Sequence, residues 1–172
     1  MNTSMLAELA RRELARRYYS EYLAYACGDS WIRTRLSSFL TKKIQRFIET
    51  DTGNSYDILI IECPPQHGKS MTVSESLPSW YLGKHPDQNI ILASYDSDFA
   101  ERFCRKNKEK VKNCGRNLFG IEIGAIDRAG EFELSNGKGR MISRGIMSTS
   151  GRPSRIPDMT TWSMPLPRHW RG

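Results

Sequence analysis

The sequence predicts an α/β fold: a parallel sheet with flanking helices, incomplete, preceded by an α-helical N-terminal segment. Three observations carry that expectation. An apolar run at 56–62, "YDILIIE", leads into a Pro- and Gly-containing loop and then a helix-forming stretch. A second apolar run at 89–95, "NIILASY", leads into an amphipathic helical stretch. Helical periodicity without strand-like runs fills the first 50 residues. Strand, loop, helix, strand, helix is the order of a βαβ unit, whose crossovers are right-handed.

Taken in order, Leu6, Leu9, Ala10, Leu14, Tyr18 and Tyr22 recur at three- and four-residue steps, with Arg and Glu between them. That spacing predicts one helix over 4–26, with Ser4 as N-cap and Gly28-Asp29 as its stop. A second helix is expected over about 31 to 50, with Ile32, Leu36, Phe39, Leu40, Ile44, Phe47 and Ile48 on one face. "DTGNS" at 51–55 reads as a turn. Residues 56–62 are expected as a buried strand, and a helix should begin near Lys69. Pro78 interrupts that helix, predicting a kink or a second short helix through "SWYLG". After the strand at 89–95, "DSDFAERFCRKNKEKVKN" reads as a helix. Asp98 and Glu101 have capping-box spacing, and Asp96 is the alternative cap. Asn136-Gly137 in "EFELSNGKGRMISRG" predicts a hairpin.

The bulk numbers narrow the class. A chain of 172 residues suits one domain with a real core. Hydrophobic residues at 38 % and charged residues at 26 % exclude a disordered chain. No apolar stretch is long enough to cross a bilayer, and the charged N-terminus lacks a signal-peptide core, so a cytoplasmic location is expected. Cys27, Cys63, Cys104 and Cys114 are widely spaced without zinc-ligand companions, and are expected as buried reduced thiols. The net charge of +7 hints at a polyanionic partner. The basic runs at 11–12, 16–17 and 105–112 read, taken singly, as solvated helix faces.

"CPPQHGKS" at 63–70 carries the chemistry. A phosphate loop surrounds its anion with consecutive backbone N–H groups continued by a helix N-terminus. Its pattern is G-x-x-x-x-G-K-[ST]; Gly68, Lys69 and Ser70 fill the last three places, and Cys63 stands where the first Gly belongs. Position between an apolar strand and a helix is the context such a loop requires. The competing reading is a Pro-rich loop with Lys69 in solvent and Ser70 capping the helix. A phosphate loop here makes the expected fold class α/β of the P-loop NTPase type.

"PPQHGKS" resembles the PP-x-HGKS phosphate loop of phage large terminase subunits, the motors that pump DNA into empty capsids. Upstream, "RRELARRYYSEYLAYACGDSW" and "IQRFIE" are similar to that family's N-terminal lead-in. Downstream, "LPSWYLGKHPDQNIILASYDSDFAERFCRKNKEKV" resembles its second strand and helix, and the likeness covers about residues 8 to 150. It implies a helical lead-in over 1–55 and a partial P-loop ATPase core over 56–150. It implies ATP and Mg2+ as cofactors, with Gly68 and Lys69 cradling the phosphates, Ser70 ligating magnesium and His67 contributing its backbone N–H. Gln66 occupies a position commonly arginine in the family; it can hydrogen-bond phosphate but cannot stabilise charge developing on the leaving γ-phosphoryl group. Gln45 is implied as an adenine contact, beside the plain reading of a polar residue on a helix. Double-stranded DNA, a small terminase subunit and a capsid portal are the implied partners, in a ring of subunits from a phage or prophage.

Phosphoryl transfer also needs acids for magnesium and for the attacking water, which the family places at the end of an apolar strand. No such string occurs; "ILIIE" leads into the loop itself and "IILASYD" matches the family's second strand. No catalytic residue is therefore assigned, and nucleotide binding without assured hydrolysis is the expectation. "SRIPDMTTWSMPLPRHWRG" stands where the acidic strand should come, so 151–172 are expected as a divergent, unstructured tail, from a frame slip near residue 150 or a natural variant, with the family's nuclease domain absent. Two rivals remain: a fragment of another P-loop nucleic-acid motor such as a helicase, and a non-enzymatic basic DNA-binding module.

Overall fold

A computed structural model describes residues 3–147. Its order is α1 (Thr3–Arg17), α2 (Tyr19–Cys27), α3 (Arg35–Glu49), α4 (Lys69–Thr72), α5 (Leu77–Lys84), β1 (Asn89–Asp96), α6 (Ser97–Lys110), α7 (Arg116–Phe119), β2 (Ile123–Arg128), β3 (Glu131–Leu134) and β4 (Arg140–Met147). Among the described residues the sheet has four strands in the order β1-β4-β3-β2. β1 and β4 run parallel, Asn89 opposite Arg140 and Asp96 opposite Met147, while β4, β3 and β2 are antiparallel. The class is thus α/β, with a mixed rather than wholly parallel sheet.

The expected helix over 4–26 is two helices. Tyr18 is extended at φ −115° and ψ 126°, which breaks the rod between Arg17 and Tyr19. The break turns Tyr19, Tyr22 and Leu23 inward, where each is at most 1 % exposed. Leu6, Leu9, Leu14 and Tyr18, the apolar stripe legible in the sequence, are 45–50 % exposed. α3 starts at Arg35 rather than near 31, because Thr34 and Ser37 form a reciprocal capping box. Only the C-terminal half of its apolar face is covered: Ile44 is buried, whereas Leu36 and Phe39 are exposed.

Residues 56–62 form no strand, contrary to expectation. A strand takes its hydrogen bonds from a neighbour, and among the described residues none flanks this segment. Tyr56, Ile58 and Ile60 are consequently 53–78 % exposed. The two-helix alternative beyond the loop is the one realised: α4 ends at Thr72, and α5 starts at Leu77 with Pro78 in its first turn, where the missing N–H costs nothing.

β1 alternates cleanly, with Ile90 and Leu92 buried between exposed neighbours. Asp96, not Asp98, caps α6, its carboxylate accepting the Asp98 N–H. Asn136-Gly137 forms the predicted β3–β4 turn, with Gly137 in the left-handed region at φ 70°. β2 pairs antiparallel with β3 across the Ala129-Gly130 turn and is a strand beyond those the sequence predicts. α6 covers one face of the sheet, packing Ala100 and Cys104 with Ile90, Leu92, Phe132, Leu134 and Met141. Burying such a large side chain contributes about 1.5–3 kcal/mol. A second apolar cluster joins the N-terminal helices to α5, through Ala15, Tyr19, Tyr22, Leu23, Ile44, Leu77 and Trp80.

The cysteines are all free; Cys104 and Cys114 are buried, Cys27 and Cys63 half-buried. Among the described residues no helix is long and apolar enough to cross a membrane. The divergent tail expected over 151–172 lies outside the described residues.

Candidate functional site

Pro64 and Pro65 start a loop that stays exposed from 64 to 70. Gly68 sits in the left-handed region at φ 72° and ψ 13°, which glycine adopts without steric cost. Gln66 is the one non-glycine residue with positive φ among those described, at 63°. That conformation costs on the order of 1–2 kcal/mol for a residue with a Cβ. The His67 ring holds the Pro65 carbonyl through Nδ1 at 2.7 Å, so its side chain braces the loop.

The helix signal realised after the loop is short. Thr72, Val73 and Ser74 donate to the carbonyls of Gly68, Lys69 and Ser70 at 2.8–2.9 Å. Among the described residues no acceptor meets the backbone N–H groups of 66–71. No hydrogen bond or ion pair there engages the Lys69 ammonium or the Ser70 hydroxyl either. A row of free amides, a left-handed glycine, a cation and a hydroxyl on one exposed turn can receive an anion and a metal-bound phosphate.

Lys69 and Ser70 also edge a cavity of about 310 Å³ between α3, residues 57–61 and the α4–α5 corner. Ile44, Ile48, Leu59, Ile61, Val73 and Leu77 form its apolar wall. Asp57 adds a carboxylate to that wall, held by the Thr52 hydroxyl at 2.6 Å and the Asn54 amide at 3.2 Å.

Gln45 is placed differently from Gln66, His67, Gly68, Lys69 and Ser70. Its Oε1 accepts the Tyr19 N–H and its Nε2 donates to the Arg17 carbonyl, each at 2.9 Å. Nε2 also reaches Glu49 at 3.0 Å. One amide thereby bridges the break between α1 and α2. Glu49 continues outward to Lys84, whose ammonium lies 4.7 Å from the Trp80 ring centre.

The basic run at 105–112 is largely spoken for by internal pairs. Lys106 meets Glu75 at 2.7 Å, and Lys108 and Lys112 both meet Asp127 at 2.6 Å. Those two ammonium groups hold the Asp127 carboxyl below its ordinary range. Arg102 instead lies over the Phe99 ring, 4.4 Å from its centre. Asp96, the acid that ends β1, is occupied as the α6 cap. Among the described residues no group of His, Cys, Asp and Glu side chains is arranged to hold a metal ion.

Two groups that bear on the loop were not legible in the sequence. The Tyr19 hydroxyl donates to the Thr72 carbonyl, and Asn107 bonds both sides of the α4–α5 turn. Their partners lie 53 and 28–33 residues away, beyond any local pattern.

A family model described as terminase large subunit, T4-like-virus type, N-terminal, matches residues 60–149, just over half of the chain. No curated protein and no solved structure gives a match.

Proposed function

This chain belongs to the N-terminal family of phage terminase large subunits, proteins of DNA packaging, and from that premise we propose that residues 66–70 hold the phosphates of ATP. One observation carries the reading: Gly68, Lys69 and Ser70 stand at the loop-to-helix junction with their amides, ammonium and hydroxyl unengaged among the described residues. Gly68 lets the backbone approach the phosphates, and the amides of Gln66 to Ser70 donate to their oxygens. Lys69 neutralises the outer phosphates. Ser70 is the residue that would ligate magnesium, which when bound neutralises charge on the β- and γ-phosphates.

In this reading the order of loop, α4, β1 and α6 follows a P-loop NTPase core behind a helical lead-in, and residues 56–62 hold the place of its first strand. Gln45 is left out of the contact set, because its amide is already bonded to Arg17 and Tyr19. Double-stranded DNA, the small subunit and the portal belong to the same proposal, as partners of the packaging assembly. Binding is the activity assigned, since Gln66 supplies no cation and Asp96 is committed to the α6 cap.

The test is thermal unfolding of the full chain with and without magnesium and ATP. Ligand at a hundred times its Kd stabilises by about 2.7 kcal/mol, or about 5–10 °C in a chain of this size. Lys69→Ala should remove that rise. An equal rise in Lys69→Ala, or none in the wild type, would return the loop to an ordinary turn on a basic binding module.

A further inference from the structure

The loop at 64–68 is exposed, and among the described residues its one internal side-chain hydrogen bond is that of His67 to the Pro65 carbonyl. Upstream, Ile61 packs against the second apolar cluster, and the hydrogen-bonded anchors of the loop lie at its downstream end. There the chain is fixed on two sides. Thr72, 2 % exposed, closes α4 by donating to the Gly68 carbonyl at 2.9 Å. The Thr72 carbonyl in turn accepts the hydroxyl of Tyr19 from α2. Tyr19 cannot drift: it is fully buried, its N–H is held by Gln45, and its ring centre lies 5.0 Å from that of Trp80.

On the opposite flank Asn107 of α6 is also fully buried. Its Nδ2 donates to the Ser74 and Phe103 carbonyls, each at 2.8 Å, and its Oδ1 accepts the Ser79 N–H at 3.0 Å. Three bonds thus fix the orientation of its amide and hold the turn between α4 and α5. At about 1.5 Å of rise per residue, Thr72 lies about 6 Å along the helix from Gly68. A shift of its carbonyl is passed to Lys69 and Ser70 with no flexible joint between.

We infer that Tyr19 and Asn107 are positioning residues for the phosphate loop, holding α4 so that Lys69 and Ser70 meet the nucleotide. This rests on the phosphate-binding reading proposed above. The N-terminal helices, on this inference, carry half of the scaffold of the site.

The experiment measures the Kd of the full chain for a fluorescent ATP analogue with magnesium, at a temperature where every variant is folded. Tyr19→Phe keeps the ring and deletes the hydroxyl; losing one such bond should weaken binding about fivefold. Ile90→Val, which trims the sheet core remote from α4 and lowers stability comparably, should leave Kd within twofold. Equal affinities for Tyr19→Phe and wild type would overturn the positioning role. A wild type that binds no nucleotide would instead overturn the phosphate reading beneath it. Residue-level hydrogen exchange on the wild type gives a test that needs no variant to fold. The amides of Thr72, Val73 and Ser74 should exchange as slowly as those of buried α5, and exchange as fast as the exposed loop would overturn the anchor.

Discussion

Replacing Gln45 by alanine deletes an amide that bridges a broken helix, and the cost follows from its three bonds. The Tyr19 N–H loses its acceptor beside a fully buried side chain. Leaving such a donor unpaired costs about 1–3 kcal/mol. The Arg17 carbonyl and the Glu49 carboxylate are exposed partners, and water replaces the amide there at little cost. The sum is about 1–3 kcal/mol, nearly all from one donor. Urea unfolding of the full chain reads it as a lower midpoint with unchanged slope. Nucleotide affinity, measured below the transition, should fall no further than in Tyr19→Phe, because Gln45 reaches the loop only through Tyr19. Unaltered stability together with lost affinity would refute this reasoning and return Gln45 to the nucleotide.

The same geometry fixes other outcomes. Gln66→Gly removes a Cβ from a left-handed position and should stabilise the loop by up to about 1 kcal/mol, seen as a higher midpoint. Gly145→Ala should destabilise by about 1–3 kcal/mol, because its Cβ would lie 2.6 Å from the Ser97 backbone nitrogen where β4 passes the start of α6. Asp127→Asn should lower stability at pH 7. Since Lys108 and Lys112 depress the Asp127 pKa in the folded state, that contribution is present above its unfolded value of 3.8 and lost as pH falls through the folded one. The gap between variant and wild type should therefore close below about pH 4, as acid titration of stability would record. Burial pushes the Cys104 and Cys114 thiols up to about 11, so at pH 8 a thiol reagent should reach them only on unfolding.

What the sequence announced was whatever depends on near neighbours. The apolar run at 89–95, the Asn136-Gly137 turn and the helix after Asp96 are local patterns, and each is found in place. Residues 56–62 show the limit of that logic. Their apolar character calls for a strand, but a strand exists only beside another, and among the described residues none flanks it. The N-terminal helices show a second limit. The periodic stripe of Leu6, Leu9 and Leu14 is half exposed, because the break at Tyr18 rotates Tyr19 and Tyr22 into the core instead. The Gly-Lys-Ser signature was readable as a string. Its anchors were not, since Tyr19 and Asn107 act on it through bonds that only the folded chain brings together.

Phosphate recognition at residues 66–70 is tested most directly by calorimetric titration of the full chain with ATP and magnesium, repeated with adenosine and again after adding EDTA. Binding through the loop amides, Lys69 and Ser70 predicts one saturable site for ATP, at least tenfold weaker binding of adenosine, and weaker ATP binding without the metal. Adenosine binding as tightly as ATP, or no binding of ATP at millimolar concentration, would contradict it.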